Sequence, residues 1–390
     1  MQEYSEAPVT MVKWYMAFCK KRIFLLLLAP VSVFFLWLAK VNQNFAELVF
    51  ARKIYKVIAH AVSFISDKFP ISLMEVEIIL LPVLVVLGIA YLIYQLIRHK
   101  KNSKSISYLM LLTLVNVACI ASVLFFMYVF MAGINYHRYS FAKISGYNIQ
   151  ESSVEDLYQM TINLSERAAK ARNLISTKGG EFTKDGNVSI DKSNWKALVA
   201  AEVKAYAKEG KVYPELKGNY KSVKSVDFSR VMSAMEITGI FWPFTMESNV
   251  NTDVVDYSIP ATMGHEMAHL RGFMREDEAN FISYLICSNS DNPVLQYSGL
   301  MLALSYAGNQ LYNQSPEDFE KVRATYTAEM SADLREDYYY WVQFEDTVIS
   351  TASNTVNDNY LKANNQSDGV KSYGRMVDLL LAEYKAEKNN

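Results

Sequence analysis

The chain has 390 residues, 51% of them hydrophobic, with 39 basic and 40 acidic side chains and a formal net charge of −1. This length exceeds one average domain and suits two or three units. The balanced charge gives no general basis for nucleic-acid binding, and three cysteines without a C-x-x-C pair give neither a disulfide framework nor a thiolate metal site.

The apolar residues are unevenly spread. Residues 1–137 read as a membrane domain with three transmembrane helices, and 138–390 as a separate, water-facing domain. Lys20, Lys21 and Arg22 precede an uncharged run from Ile23 to Ala39. No small-x-small cleavage site follows, so a retained helix is expected rather than a signal peptide. Residues 40–71 are mixed, with an amphipathic helix expected around Phe45, Leu48, Val49, Ile54, Val57 and Ile58. Ile78–Ile97 is a second uncharged run, and Ile106–Tyr136 a third. The basic knot Arg98, Lys100, Lys101 and Lys104 reads as cytoplasmic, together with the N-terminal cluster. Lys40, Arg52, Lys53, Lys56 and Lys68 argue the other way, but less densely. Three spans then place everything after Tyr136 outside the cytoplasm, in a multi-pass cell-membrane protein in contact with lipid.

In the second domain, Val154, Leu157, Thr161, Leu164, Ala168, Ala171 and Ile175 recur at helical spacing. They predict a helix over 153–176 with Ser153 as N-cap. Asp185-Gly186 predicts a small hairpin over 181–191. Trp195–Glu209 reads as a helix closed by Gly210, 211–228 as irregular, and Arg230–Met235 as a short helix. Ile237–Val250 reads as one strand that Pro243 confines to a sheet edge. Such an edge can bind an extended peptide by strand addition. Residues 293–386 are helical in pattern, with Ser315-Pro316 marking one helix start.

Between these elements lies Thr262–Tyr284, which contains H-E-x-x-H as His265, Glu266 and His269. On a helix, positions i and i+4 share a face, so both imidazoles can converge on one metal ion. Zinc in catalytic sites takes three protein ligands and a water, and Glu266 is placed to accept a proton from that water. The bland alternative is a surface helix with two solvated histidines. Acids for a third ligand follow at once, at Glu276, Asp277 and Glu278. Gly272 permits a left-handed turn between the two helices.

H-E-x-x-H-x-x-G resembles the metzincins, but the position of their third histidine holds Arg275, a cation. Glu276-Asp277-Glu278-Ala279-Asn280 looks instead like the E-x-x-A-[DN] element of gluzincins. That resemblance implies Glu276 as the third zinc ligand, with Glu278 the alternative, and Asn280 as support for a ligating histidine. The whole arrangement is similar to an uncharacterised bacterial family, domain of unknown function 3810. It shares the N-terminal spans, W-P-F-T-M-E-S-N-V-N, the H-E-x-x-H segment, and the C-terminal stretch from V-N-D-N-Y to S-Y-G-R-M. The resemblance implies a membrane-anchored, zinc-peptidase-like protein.

A peptidase also needs a donor for the developing oxyanion, and Tyr373 and Arg375 are the candidates. The expected fold is thus a multi-span α-helical membrane region followed by a mostly α, α+β zincin-like metallopeptidase domain. The expected function is a zinc metalloprotease, a hydrolase cleaving a protein or peptide substrate. A non-catalytic membrane receptor or scaffold of the same fold is the alternative, and a zinc hydrolase acting on a non-peptide bond a third reading.

Overall fold

The computed structural model describes residues 22–364, 366 and 375–388. The fold is mostly helical. Three helices are long and apolar enough to cross a membrane: α1 (Ile23–Val41), α4 (Leu73–Arg98) and α5 (Ser103–Met131). The Lys20-Lys21 pair lies outside the described residues. The third span ends five residues earlier than the apolar run, where a 3-10 turn, Gly133–His137, takes over.

Helices α1 and α5 pack together. The α1 segment begins as a 3-10 turn, and Ser122 of α5 serves that irregular backbone. Its Oγ accepts from Ala29 N–H at 2.9 Å and donates to the Leu25 carbonyl at 2.7 Å. Backbone groups in an apolar medium need such partners. By contrast, α4 buries none of its apolar window within the chain.

Between α1 and α4 the chain forms two helices, the wide π-type α2 (Phe45–Tyr55) and α3 (Lys56–Ser66). Inside α2, the fully buried Glu47 takes a forked pair of bonds from Arg138, at 2.8 and 2.9 Å, and a further bond from Arg52. A buried carboxylate needs this much compensation. Its carboxyl is held below the usual range, the guanidinium bonds outweighing burial.

Beyond α5 follow α6 (Phe141–Ser145) and α7 (Val154–Thr177). Ser153 caps α7 in a capping box with Asp156. The short strands β1 (Glu181–Phe182) and β2 (Val188–Ser189) pair as the expected hairpin, and α8 (Trp195–Glu209) has the expected bounds. Two expectations need correction. Residues 211–228 contain a strand, β3 (Val223–Ser225), besides a short turn of helix. Ile237–Val250 is not one strand. After α9 (Ser229–Ala234) it forms a hairpin of β4 (Gly239–Trp242) and β5 (Glu247–Val250). Pro243 sits in the turn, where its missing N–H costs no ladder bond, and Met246 completes the turn with φ +51°. The sheet order is β3-β5-β4, with β3 parallel and β4 antiparallel to the central β5. The expected edge is therefore β4 alone.

Helices α10 (Ile259–Leu270), α11 (Glu276–Ser288) and α12 (Pro293–Gln314) form the centre. Helices α13 (Pro316–Arg323), α14 (Ala328–Trp341), α15 (Val348–Ala363) and α16 (Met376–Lys388) surround it. The main core joins α7, α8, α10, α11, α12 and α16. A second apolar cluster joins Ala39, Phe50, Tyr55, Val129 and Ile134 to Leu270 and Met274 at the ends of the α10–α11 turn. Through it, the helix carrying H-E-x-x-H rests on the membrane-side helices.

Candidate metal centre

Local sequence chemistry builds the site. Pro260 occupies the first turn of α10, where its missing N–H has no intrahelical partner to lose. The helix ends in a Schellman turn: Gly272, at φ +84°, donates to the His269 carbonyl, and Phe273 donates to the Ala268 carbonyl. That turn brings the Phe273 carbonyl back to 2.7 Å from His269 Nδ1. Helix α11 then begins with three acids in its first turn, which suits the positive end of a helix dipole. It packs tightly on α10. A Cβ on Gly264 would lie 2.8 Å from Ser283 Oγ, and that hydroxyl donates to the Ala261 carbonyl.

Glu276 and Asn280, one turn apart, both face α10. The carboxylate of Glu276 lies 3.1 Å from His265 Nε2 and 3.6 Å from His269 Nε2, and the two Nε2 atoms are 3.0 Å apart. Asn280 Oδ1 meets His265 Nδ1 at 2.7 Å, and Asn280 Nδ2 donates to Tyr306 Oη at 3.1 Å. The Phe273 carbonyl can only accept, so His269 Nδ1 carries a hydrogen. The Asn280 oxygen asks the same of His265. With Nδ1 as the donor in each ring, Nε2 is the atom each imidazole can offer a cation, and both Nε2 atoms face one point that a carboxylate also faces. This donor set suits a cation: His265, His269 and Glu276 form a group that could hold a metal ion. Glu278 faces elsewhere, accepting from Phe141 N–H at 2.7 Å and from Arg275 at 2.5 Å.

The electrostatics favour positive charge beside Glu276. Burial pushes His269 down, but the Glu276 carboxylate outweighs it and holds the imidazole up at about 9. Burial would raise Glu276, but His269 and His265 hold it well below the usual carboxylate range. Burial raises Glu266, against the two histidines and the Phe241 backbone N–H that reaches its carboxylate. Glu266 Oε2 is buried without a hydrogen-bond partner.

The expected oxyanion donors fare differently. Tyr373 lies outside the described residues. Arg375 Nε donates to Asp277 Oδ2 at 3.2 Å, so its guanidinium is engaged with the neighbour of Glu276. Sequence reasoning missed the Phe273 carbonyl, Tyr306 and the Phe241 N–H. Gly272 signalled the turn, but nothing in the sequence marks which carbonyl the turn presents.

A family model described as Protein of unknown function (DUF3810) matches residues 50–381. No curated protein and no solved structure matches the chain.

Proposed function

The chain belongs to the DUF3810 family of proteins of unknown function, and from the convergence of His265, His269 and Glu276 we propose that it is a membrane-anchored zinc metallopeptidase. The observation that carries this reading is the pair of Nε2 atoms, 3.0 Å apart, facing one carboxylate at 3.1 and 3.6 Å. Ligands about 2.0–2.1 Å from a tetrahedral zinc lie roughly 3.3 Å from one another. Two nitrogens and one carboxylate are also a donor set of catalytic zinc sites, which keep a fourth position open.

When bound, zinc acidifies a water and polarises a carbonyl. The chain's own residues do the rest. His269 is oriented by the Phe273 carbonyl, and His265 by Asn280. Glu266 Oε2, buried and unpartnered, accepts a proton and later returns it to the leaving amine. Its burial raises its basicity toward that task. A peptide is favoured over other substrates because β4, a sheet edge, runs beside Glu266. Main-chain pairing along such an edge suits an extended chain. A zincin-like architecture is part of this reading.

The same reading places the domain outside the cytoplasm. Residues 42–72 and the chain after α5 meet in the second apolar cluster, so they share one end of the spans, opposite the Arg98–Lys104 knot. Of the basic residues that argued otherwise, Arg52 pairs with Glu47 and Glu215, and Lys56 donates to the Pro214 carbonyl.

The test uses the full chain in detergent with a quenched-fluorescent peptide library, wild type beside Glu266→Gln. We expect turnover in the wild type and none in the variant, with equal zinc content. A zinc-loaded wild type that cleaves nothing, or a variant that cleaves as well, sinks the peptidase reading.

A further inference from the structure

Large apolar side chains stand exposed along α2 and α3. Val57 is 70% exposed, Phe64 57% and Ile65 58%, values like those along the lipid-type span α4, where Leu84 is 62% exposed. Leu48 and Val49 continue the same face toward the start of α2. The opposite face, with Phe50, Tyr55, Ala59, Ser63 and Ser66, is buried against the rest of the chain. An apolar face of this size on a folded protein, interrupted by exposed Lys53 and His60, marks an interaction surface.

Both ends of the segment fix what that surface meets. At its start, the Phe45 ring stacks on Phe35 of α1 at 6.1 Å, and the Phe50 ring meets Phe130, in the last turn of α5, at 5.8 Å. At its end, Ser66 Oγ donates to the Thr245 carbonyl in the β4–β5 turn, and two residues on, at the start of β5, Glu247 accepts the Leu73 and Met74 N–H groups that open α4. The segment is thus pinned, at both ends, to the level where spans begin or finish. Basic residues bracket Val57–Ile65 along the face: Lys53 is exposed one turn before Val57, and Lys68 places Nζ 4.5 Å above the Phe64 ring. Apolar side chains interleaved with lysine are the composition of helices that lie in the headgroup layer.

We propose that α2 and α3 lie in the bilayer interface, with Val57, Phe64 and Ile65 in lipid, and hold the metal centre against the membrane surface. The link to the centre is Tyr55. Its buried hydroxyl donates to the carbonyls of His269 and Leu270, at 3.2 and 3.3 Å. One tyrosine side chain therefore separates the interfacial helices from the metal-bearing helix. On the peptidase reading, on which this one consequence rests, the substrate bond lies close to a membrane surface, in a chain that is itself membrane-bound.

The test needs no activity, so its failure is distinct from a failure of the peptidase reading. In the full chain with Cys19, Cys119 and Cys287 changed to alanine, single spin labels are placed at Val57→Cys, Phe64→Cys and Ile65→Cys. Leu84→Cys on α4 is the lipid reference, and Leu174→Cys on α7, also an exposed site, the water reference. In lipid nanodiscs, labels at 57, 64 and 65 should collide severalfold more with oxygen than with a water-soluble nickel chelate, as at 84. Labels that read like 174 overturn the proposal. All five positions are exposed, so the labels leave packing intact. Native thermal unfolding of each labelled chain in detergent checks this.

Discussion

A Cβ built on Gly239 would come within 2.5 Å of Glu266 Oε1 and 2.8 Å of its Cγ. The absence of a side chain is what lets β4 run against the Glu266 carboxylate and bring the Phe241 N–H to it. Gly239→Ala must push Glu266 aside, because the added methyl would overlap both its Oε1 and its Cγ. A misplaced base costs about 10- to 100-fold in rate. We expect that loss in kcat with metal content unchanged, measured by turnover and by metal analysis on the same sample. Unaltered kcat would show that the strand does not position Glu266.

Metal affinity should separate the three acidic and amide positions of α11. Glu276→Ala removes a donor, and binding should be lost or greatly weakened. Asn280→Ala leaves His265 Nδ1 without its 2.7 Å partner, and such loss of orientation typically costs about 10- to 100-fold in affinity. Glu278→Gln should bind metal as the wild type does, since its carboxylate serves Phe141 and Arg275. Calorimetric titration with zinc reads all three. Equal weakening by the changes at 276 and 278 would contradict the ligand assignment.

The contrast between these positions shows what a sequence can and cannot convey. His265 and His269 are legible because helical periodicity converts spacing into a shared face, and the α10–α11 turn is announced by Gly272; Glu276 and Asn280 are legible only through the resemblance to the gluzincin element, which leaves Glu278 open beside Glu276. Ser153 and Gly210 likewise mark helix ends through local chemistry. The Phe273 carbonyl is silent, because backbone groups carry no residue signature. Tyr55 is silent for another reason: its partner His269 is 214 positions away, and nothing local predicts that pairing. The strand β3 has three residues, too few for alternation to show. The β4–β5 hairpin was hidden because Ile, Phe and Trp run through Pro243 without the usual Asn-Gly or Asp-Gly signal.

Arg271 should carry much of the local stability of α10. It is fully buried, and its guanidinium donates to the carbonyls of Leu216, Met267 and Gly218 at 2.8–3.0 Å while lying 3.6 Å above the Tyr206 ring. Arg271→Ala would strip three buried acceptors of their donors and leave a cavity. Losses of that kind cost about 3 kcal/mol or more. Thermal unfolding should shift down by several degrees, and zinc binding should weaken because the turn that presents Phe273 follows directly. Arg271→Lys should recover only part, since an ammonium cannot match the planar fork.

Glu202 sets a pH dependence that is independent of the metal centre. It is fully buried on α8, and its nearest polar neighbour among the described hydrogen bonds is the Cys287 thiol, at 3.7 and 3.9 Å. Burial pushes it up to about 8, only partly offset by the thiol and by Arg271. The folded chain therefore keeps this proton between its ordinary value near 4.5 and 8, while the unfolded chain has released it. Folding binds the proton, so the Glu202 contribution to stability is full below 4.5 and falls as pH rises toward 8, by at most about 1.4 kcal/mol per pH unit. Glu383, buried and pushed up to about 7, adds a loss of the same sign. Glu202→Gln keeps the shape of the protonated acid without the titration. Unfolding temperature, measured at pH 5, 6.5 and 8, should fall less steeply in the variant, which should be the more stable chain at pH 8 and nearly equal at pH 5. A variant whose temperature falls in parallel with the wild type would mean that Glu202 is already ionised in the folded chain, with water or a counter-charge reaching it.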